Sequence, residues 1–428
     1  METSKQRPSR RAFLSGMAGG ALAAAGTGWL PRVALASPSR AAGVERDVLV
    51  AIFLRGGSDG LALVPPYGDP GYLTARPTLA VPSPTSGSPN AAIDLDGFFG
   101  FHPVLAPLMP AYVTKRLLVV HATGLPVANR SHFEKERLVE TADPAGLVAS
   151  GWIARHLQSV GSTVPNSLLR GIGVRTSSPH SLSGAPKTLP VPVLEAFGLA
   201  GSAATETERR ATLQQMYGLP GEPLGKSGLD TLSTITLLKT VNFAGYVPSN
   251  GAVYPTTGSY GAFGRALKST AALVKAQVGV EAIAIDLADW DTHGTQGVFS
   301  GTFQQLATAL AQGLAAFDAD VLQSPSAPGV TVVVVSEFGR TVRENGSAGT
   351  DHGYGNAMFV MGRCVDGGRV LTSWPGIAAA QMFQGQDLDV TIDVRDVLAE
   401  IVDRRLNNPN VASVFSGYVA NYPGVTLC

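Results

Sequence analysis

Runs of consecutive apolar residues that stop abruptly at polar or small residues dominate the pattern along this chain. The clearest run, residues 331–335, holds five β-branched residues without alternation and predicts a strand buried on both faces, as in the middle of a parallel sheet. Similar runs predict further strands at 46–54, 116–121, 282–287 and 357–361. Apolar residues at helical spacing between the runs predict helices at 260–277, 299–322 and 394–404.

The alternation of strands and helices favours an α/β fold with a doubly wound, largely parallel sheet and helices on both faces. Residues from about 160 to 260 are rich in Pro, Gly and Ser and predict an inserted loop-rich or cap region within a domain that spans 37–428. A helix is also predicted to begin near Gly151, with His156 on its solvent side.

The first 36 residues have the features of an export signal. Residues 9–14, Ser-Arg-Arg-Ala-Phe-Leu, form a twin-arginine motif, and a small-residue apolar stretch and an Ala-Leu-Ala cleavage pattern at 34–36 follow it. The segment 1–36 is therefore predicted to be a signal peptide that engages the twin-arginine translocase, with a periplasmic or secreted mature protein. No later run reaches the ~18 apolar residues of a transmembrane helix, which predicts no membrane span in the mature chain.

Charge and cysteine content narrow the function classes. The formal net charge is zero, so the chain lacks the basic surplus that electrostatic binding to nucleic acid requires. The two cysteines, Cys364 and Cys428, are compatible with one disulfide or with two free thiols, and their spacing excludes a cysteine-based metal site.

Polar side chains cluster where the predicted strands end, which is where open α/β sheets bind ligands. Imidazoles combined with carboxylates favour zinc, whereas a carboxylate-rich set suits magnesium, calcium or manganese, and two ions ~3.5–4 Å apart would clamp a phosphate or sulfate ester. The candidate residues are Asp59, Ser131, Asp291, His293, Glu337, Asp351 and His352.

Ser131 is predicted to start a helix, since Ser131-x-x-Glu134 matches a capping box. A helix N-terminus also presents free N–H groups to an anion. Ser131 is accordingly interpreted either as a helix cap or as a nucleophile.

Five short blocks resemble the domain-of-unknown-function family 1501, whose members are twin-arginine-exported bacterial proteins related to the alkaline phosphatase and sulfatase superfamily. The resemblance implies an alkaline-phosphatase-like fold over nearly all of the mature chain. The blocks are Leu-Arg-Gly-Gly-Ser-Asp-Gly at 54–60, Arg-Ser-His-Phe at 130–133, Asp-Thr-His-Gly at 291–294, Ser-Glu-Phe-Gly-Arg-Thr at 336–341 and Gly-Thr-Asp-His-Gly at 349–353.

The resemblance implies roles for individual residues. Asp59 resembles the superfamily's first-strand aspartate, and Ser131 stands where the nucleophile is expected. Asp291 and His293 resemble the next metal-binding pair, and His352 resembles the last metal-binding histidine.

The chain departs from the superfamily at one position. Glu337-Phe338 stands where the superfamily has Asp-His, so a second metal site loses a ligand because a phenyl ring cannot bind a metal. His132 and Asp351 are the residues that can compensate.

These observations lead to two hypotheses of different classes. The first is an exported metal-dependent hydrolase of phosphate or sulfate esters, in which Ser131 attacks a small anionic ester and Arg340 or Arg130 holds its oxygens. The second is a non-catalytic exported binding or assembly protein that retains a degenerate alkaline-phosphatase-like metal site. An oxidoreductase is disfavoured because residues 55–60 lack a dinucleotide-binding glycine pattern.

Overall fold

The computed structural model describes residues 46–220 and 224–428. The predicted signal peptide, 1–36, with its twin-arginine motif and cleavage pattern, lies outside the described residues. Within the described part of the chain, no helix is both long and apolar enough to cross a membrane.

Apolar runs form the strands, as predicted, with ends that differ by a few residues. The strands are β1 (Val48–Leu54), β2 (Ile93–Asp94), β3 (Gly100–Phe101), β4 (Leu117–Gly124), β5 (Gly171–Val174), β6 (Thr188–Pro190), β7 (Ala282–Leu287), β8 (Val330–Ser336), β9 (Asn356–Gly362), β10 (Val370–Leu371) and β11 (Ile392–Asp393).

One mixed sheet with the order β10-β4-β9-β8-β1-β7-β5-β6 forms the centre of the described structure, and β11 also pairs with β4. β1 runs parallel to both neighbours, with Ile52 aligned to Ile285 of β7 and to Val334 of β8. β9 runs antiparallel to β8 and β4. The short pair β2 and β3 forms a separate antiparallel ribbon.

The helices connect the strands and cover the sheet. They are α1 (Gly60–Leu63), α2 (Tyr72–Ala75), α3 (Met109–Val113), α4 (His132–Thr141), α5 (Trp152–Ser159), α6 (Glu206–Tyr217), α7 (Gly225–Lys239), α8 (Gly261–Ala276), α9 (Thr302–Phe317), α10 (Val394–Glu400) and α11 (Val411–Val414). Wider turns extend α9 over Asp318–Leu322 and α10 over Ile401–Arg405. Short 3-10 turns occur at Pro103–Leu108, His180–Leu182, Leu194–Ala196, Ala203–Thr205 and Ser249–Gly251.

Apolar cores lie on both faces of the sheet. Alternate residues of β1 point to opposite faces, so Val50 and Ile52 pack with helices α8 and α9, whereas Leu49 and Phe53 pack with α4, α5 and α10. Burial on both faces explains why the strands are continuous apolar runs rather than alternating ones. The predicted α/β class, with a doubly wound, largely parallel sheet, is confirmed.

The region predicted as an insertion or cap contributes directly to the sheet. Its strand β5 pairs with β7, and its strand β6 pairs with β5, both in parallel. This part of residues 160–260 therefore extends the main sheet instead of forming a separate cap. Near the other end of the chain, Cys364 and Cys428 form a disulfide with their Cα atoms 5.6 Å apart.

Three histidines away from the predicted site are buried in the structure. His156 was predicted to face solvent, but it is 2% exposed and lies 2.9 Å from the Asn408 amide nitrogen. Burial lowers the pKa of His156 to about 3 and the pKa values of His102 and His121 to about 4. All three are therefore neutral in the folded protein at neutral pH.

These depressed pKa values predict a loss of stability in mild acid. An unfolded histidine has a pKa of about 6.5, so below that pH the unfolded chain binds protons that the folded chain does not bind. Above pH ~6.5 these histidines leave the free energy of unfolding unchanged. As the pH drops from ~6.5 toward 4, the free energy of unfolding decreases by up to about 1.4 kcal/mol per pH unit for each histidine. Denaturant unfolding between pH 7 and 5 measures this slope.

The variant His156→Gln should reduce the slope of unfolding free energy against pH by the contribution of one histidine. The matched control is His180→Gln, because His180 is exposed, and it should leave the slope unchanged. An identical pH dependence in His156→Gln and wild type would contradict this account of acid sensitivity.

Candidate metal centre

Four segments bring polar side chains to one edge of the sheet. The carboxyl ends of β1, β4, β7 and β8 and the amino end of antiparallel β9 share this edge. The side chains that meet there are His132 at the start of α4, Asp291 and His293 after β7, Glu337 and Arg340 after β8, and Asp351 and His352 before β9.

Glycines after β1 allow these segments to approach closely. Gly56 and Gly57 have φ values of +113° and +68°, which favour glycine. A Cβ at Gly56 would lie 2.6 Å from the Asp291 nitrogen, and a Cβ at Gly57 would overlap the Phe338 ring. Larger residues at these positions would therefore push apart the loops that carry the site.

The Asp291 carboxylate is the centre of the cluster. Its Oδ1 lies 3.1 Å from Nε2 of His293 and 3.1 Å from Nε2 of His352, and its Oδ2 lies 3.4 Å from Nε2 of His132. The Nε2 atoms of His293 and His352 are 2.9 Å apart. The Nε2 atoms of all three imidazoles therefore converge on one carboxylate.

The opposite ring nitrogen of each histidine is held by an oxygen. Nδ1 of His132 lies 2.7 Å from Glu337 Oε1, and Nδ1 of His293 lies 2.9 Å from Asp351 Oδ1. Nδ1 of His352 lies 2.7 Å from the Arg130 carbonyl oxygen. Carboxylate and carbonyl oxygens only accept hydrogen bonds, so each Nδ1 carries the proton and donates a hydrogen bond. The Nε2 lone pair of each neutral ring is therefore directed at Asp291.

This arrangement fits a bound cation. Two lone pairs 2.9 Å apart beside a carboxylate repel one another unless a positive charge lies between them. Nε2 of His132 is also buried without a hydrogen-bond partner among the described residues. An imidazole that binds a metal through one nitrogen usually donates the other N–H to a carboxylate or carbonyl, which is the pattern seen here three times.

Ligand type and exposure further define the centre. One ligand atom each from His132, Asp291 and His352 lie within 4.8 Å of one another, and His293 lies beside two of them. Imidazole nitrogens favour zinc, whereas calcium and magnesium prefer oxygen ligands. The side chains of Asp291 and His293 are both 45% exposed, so a ligand can reach the cluster from solvent.

Electrostatics favour an ionised Asp291. Burial alone raises the pKa of Asp291, but the hydrogen bond from Arg340 and the positive charge of its guanidinium outweigh burial and hold that pKa below its ordinary value. The hydrogen bond to Glu337 raises the pKa of His132 above its ordinary value, whereas burial lowers the pKa of His352. A proton therefore competes with a metal ion more strongly at His132 than at His352.

Glu337 and Asp351, which the sequence predicted to be metal ligands, instead lie behind the histidines. Glu337 is 1% exposed, and it also accepts from the Gly56 N–H at 2.8 Å and from Ser336 Oγ at 2.9 Å. The hydrogen bond from His293 lowers the pKa of Asp351. Both carboxylates thus orient imidazoles whose opposite nitrogens face Asp291.

A second grouping, formed by His132, Glu136 and Glu337, also brings one ligand atom from each within 4.8 Å. Glu136, however, forms an ion pair with Arg55 at 2.7 Å, and the oxygens of Glu337 are hydrogen-bonded as described above. The Asp291 cluster is therefore the better candidate for an ion.

Asp59, predicted to bind metal, does not join the cluster. It is 1% exposed, and its Oδ2 accepts from Arg76 at 2.6 Å and from Gln296 at 2.7 Å. Its Oδ1 accepts from the Ala62 N–H at 3.2 Å, so Asp59 caps α1. Because both oxygens have partners within the fold, the carboxylate has a structural role.

The two arginines predicted to hold substrate oxygens are both occupied. Arg340 is buried and donates to the carbonyl oxygens of Gly57 at 2.6 Å, Thr350 at 3.1 Å, Trp290 at 2.8 Å and Gly56, and to Asp291 Oδ1 at 2.9 Å. Arg130 forms an ion pair with buried Asp387 and lies 3.3 Å from Gln384 Oε1. The hydrogen bonds of Arg340 therefore hold the loops of the site together. The ion pair of Arg130 with Asp387 stabilises the segment that leads to His132.

Ser131 is the N-cap residue of α4, as predicted, but the predicted capping box does not form. Its hydroxyl makes no capping hydrogen bond, and Glu134 pairs instead with Arg137 at 2.6 Å. The Ser131 N–H donates to Asn129 Oδ1 at 2.8 Å. The exposed Ser131 side chain thus remains available beside His132.

Phe338 forms the inner wall of the cluster. It is 1% exposed, and its ring centroid lies 5.0 Å from that of His132 and 4.8 Å from that of His352. Phe338 therefore packs against two histidines of this site.

Comparison with known families identifies the group to which this sequence belongs. Residues 97–410 match the family described as Protein of unknown function (DUF1501). The chain belongs to this family. The predicted membership of domain-of-unknown-function family 1501 is thereby confirmed.

Other comparisons give only distant similarity. No curated protein matches the chain significantly. A zinc complex of the C-terminal periplasmic domain of EcEptC from Escherichia coli is 9% identical, with a TM-score of 0.33, over 76% of this chain and 75% of that one. Another structure of the same domain is 10% identical, with a TM-score of 0.36, over 90% and 92%. These scores are too low to support an argument about site or activity.

His132 is the member of the cluster that sequence reasoning named only as a possible replacement. It lies at the start of a helix, and its partners Glu337 and Asp291 are distant in sequence. The sequence signal for His132 was the excess of carboxylates over histidines among the candidate residues. Carboxylates often orient metal-binding imidazoles, so the excess indicated a further histidine.

The hydrogen bond between Glu337 and His132 yields a prediction for metal affinity. Glu337→Gln preserves side-chain size but removes the negative charge that orients His132 and increases its basicity. We expect zinc affinity to fall by about tenfold or more, as judged by competition with a chromophoric chelator. The control is Glu195→Gln, an exposed glutamate, and equal affinity in the two variants would contradict the positioning role.

Proposed function

We propose that this chain is an exported metal-dependent hydrolase of phosphate or sulfate esters. The observation that carries the proposal is the convergence of three imidazole Nε2 atoms on the Asp291 carboxylate at the open edge of the sheet. The predicted twin-arginine motif at 9–14 supports export. The resemblance to the alkaline phosphatase and sulfatase superfamily supports the ester class.

The residues that would hold the ion are His132, Asp291, His293 and His352, with zinc favoured by three nitrogen ligands. A divalent ion bound there would act as a Lewis acid on an ester oxygen. Glu337, Asp351 and the Arg130 carbonyl keep each Nε2 lone pair directed inward. These residues thus prepare the site before any substrate arrives.

Ser131 is the proposed nucleophile. It immediately precedes His132, and its hydroxyl is not used for capping. Attack by Ser131 Oγ on phosphorus or sulfur forms a new ester to the serine, and the bond to the alcohol oxygen breaks. The alcohol leaves with the proton that the Ser131 hydroxyl loses. Water then hydrolyses the seryl ester, which releases phosphate or sulfate and regenerates the hydroxyl.

The N-terminus of α4 is the proposed support for the anionic oxygens. The amides at the start of a helix carry a partial positive charge and lack intrahelical partners. Because Ser131 does not cap these amides, they remain available to an anion. This replaces the predicted use of Arg340, whose guanidinium is fully engaged by the fold.

The engagement of both arginines favours a second candidate function. An enzyme for anionic esters commonly uses a free guanidinium, and neither Arg340 nor Arg130 is free here. The alternative is an exported binding or assembly protein that retains the metal site without catalysis.

Hydrolysis assays separate these functions. The mature chain, loaded with zinc, is tested on 4-nitrophenyl phosphate and 4-nitrophenyl sulfate. We expect chelation to abolish hydrolysis, zinc to restore it, and Ser131→Asn to lower kcat by at least about 1,000-fold. The Ser131 hydroxyl makes no capping hydrogen bond and the side chain is exposed, so folding should be unaffected.

Two other outcomes would contradict different parts of the proposal. Zinc-dependent hydrolysis that is unchanged in Ser131→Asn would show that the nucleophile is not Ser131. Tight zinc binding without hydrolysis of any ester in a broad panel would favour the binding or assembly protein.

A further inference from the structure

A groove with an uncharged polar lining lies between helix α9 and the loop that precedes helix α8. Its volume is about 410 Å³, and Tyr260, Gln304, Gln305, Thr308 and Gln312 contribute to its lining. This volume lies within the range of about 300–1,000 Å³ that is typical of ligand pockets. None of the lining residues belongs to the candidate metal centre, so the groove is a separate candidate site.

Charged residues are absent from both segments that form the groove. Residues 240–264 and 294–317 contain no Asp, Glu, Lys or Arg, although these four types make up 15% of the chain. Helix α9 therefore exposes glutamine and threonine where a surface helix usually exposes charged residues. Because the lining offers no opposite charge to an ionic ligand, a neutral ligand is favoured.

The polar side chains along α9 are available to a ligand. Gln304, Thr308 and Gln312 follow one another at intervals of about 6 Å along one face of the helix. Within the described part of the chain, no hydrogen bond engages the side-chain amides of Gln304, Gln305 and Gln312. Thr308 Oγ1 donates to the Gln304 carbonyl oxygen at 2.7 Å and can still accept. The helix thus presents a row of donors and acceptors.

The opposite wall of the groove is held in place by the fold. A Cβ at Gly264 would lie 2.0 Å from the Pro255 carbonyl oxygen, so the loop packs directly on the first turns of α8. Tyr254 fixes the start of this loop, since its hydroxyl donates to Asp320 Oδ2 at 2.8 Å. A groove whose walls are already ordered loses less conformational entropy when a ligand binds.

Tyr260 supplies an aromatic surface and a further donor. Burial, together with the charge of Asp289, raises the pKa of Tyr260 above its ordinary value. The hydroxyl therefore stays protonated at neutral pH. Arg265 lies beside the groove, but its guanidinium donates to the Thr256 carbonyl oxygen, so this cation is engaged by the loop.

The lining does not suit the common modes of peptide recognition. Strand addition requires an unpaired strand edge, whereas a helix and a loop form this groove. An amphipathic helix requires an apolar groove, a polyproline segment requires several aromatic rings, and a phosphopeptide requires arginines. Among the lining residues, Tyr260 is the only aromatic and no residue is a cation.

A ligand rich in hydroxyl groups matches the lining that remains. Each glutamine amide can donate to one hydroxyl oxygen and accept from another hydroxyl. The apolar C–H face of a pyranose ring can lie against an aromatic ring such as that of Tyr260.

We propose that this groove binds a neutral oligosaccharide. The glutamine amides of α9 exchange hydrogen bonds with hydroxyl groups of successive pyranose rings, and Tyr260 contacts the C–H face of one ring. This binding is independent of the proposed hydrolysis, because the groove shares no residue with the candidate metal centre.

Saturation-transfer NMR with the mature chain tests the groove. The neutral probes are cellotetraose, maltotetraose and chitotetraose, and the charged probe is tetragalacturonate. We expect transfer to at least one neutral tetrasaccharide and none to tetragalacturonate. Because no charge contributes to binding, the affinity should be equal at low and high salt.

Variants then locate the binding site. The double variant Gln305→Ala/Gln312→Ala removes two exposed amides, and we expect the affinity to fall about tenfold. Alanine is a stronger helix former than glutamine, so folding should be unaffected. Tyr260→Ala removes the aromatic surface and should weaken binding about threefold or more. The matched control is Gln215→Ala, an exposed glutamine of α6 outside the groove, which should bind as wild type does.

Several results would overturn the oligosaccharide site. They are absence of transfer to all neutral tetrasaccharides, equal affinity in wild type and the double variant, and preferential binding of tetragalacturonate. Binding of decaproline in place of the tetrasaccharides would assign the groove to a peptide and would also overturn it. Removal of zinc should leave the affinity for the sugar unchanged, so failure of the hydrolase proposal would not affect this result.

Discussion

The buried guanidinium of Arg340 is the interaction on which the rest of the site depends. It donates to carbonyl oxygens from the turn after β1, the loop after β7 and the loop before β9, and to the Asp291 carboxylate. These loops belong to segments far apart in sequence, and carbonyl groups buried among them would lack donors without Arg340. The same contact that closes the loops also keeps Asp291 ionised. Loop structure and site charge are therefore coupled through one side chain.

The histidines extend this organisation to the atoms of the candidate metal centre. Each ring is fixed by a hydrogen bond at Nδ1, and each Nε2 is directed toward Asp291. A fixed tautomer matters because only the unprotonated nitrogen can bind a metal. Phe338 packs against two of the rings and contributes to their orientation. The aromatic residue at this position is therefore compatible with one metal centre.

Much of the fold could be predicted from sequence because burial on both faces leaves a simple pattern. The run at 331–335 became β8, and the strand at 282–287 has the predicted bounds. Asp291, His293 and His352 were also predicted, since each follows or precedes a strand at one edge. The roles of Glu337, Asp59 and Arg340 could not be predicted in the same way. Their roles depend on which partner each meets in three dimensions: His132 for Glu337, Arg76 for Asp59 and several carbonyl groups for Arg340.

Three imidazoles and one carboxylate are proposed to bind a single ion. This can be measured by X-ray absorption at the zinc edge, combined with anomalous diffraction from crystals of the zinc-loaded mature chain. We predict one zinc bound by Nε2 of His132, His293 and His352 and by an Asp291 oxygen, with bonds of about 2.0–2.2 Å. A chain that binds no zinc, or a zinc held by Glu136 and Glu337 with His293 and His352 unbound, would contradict it.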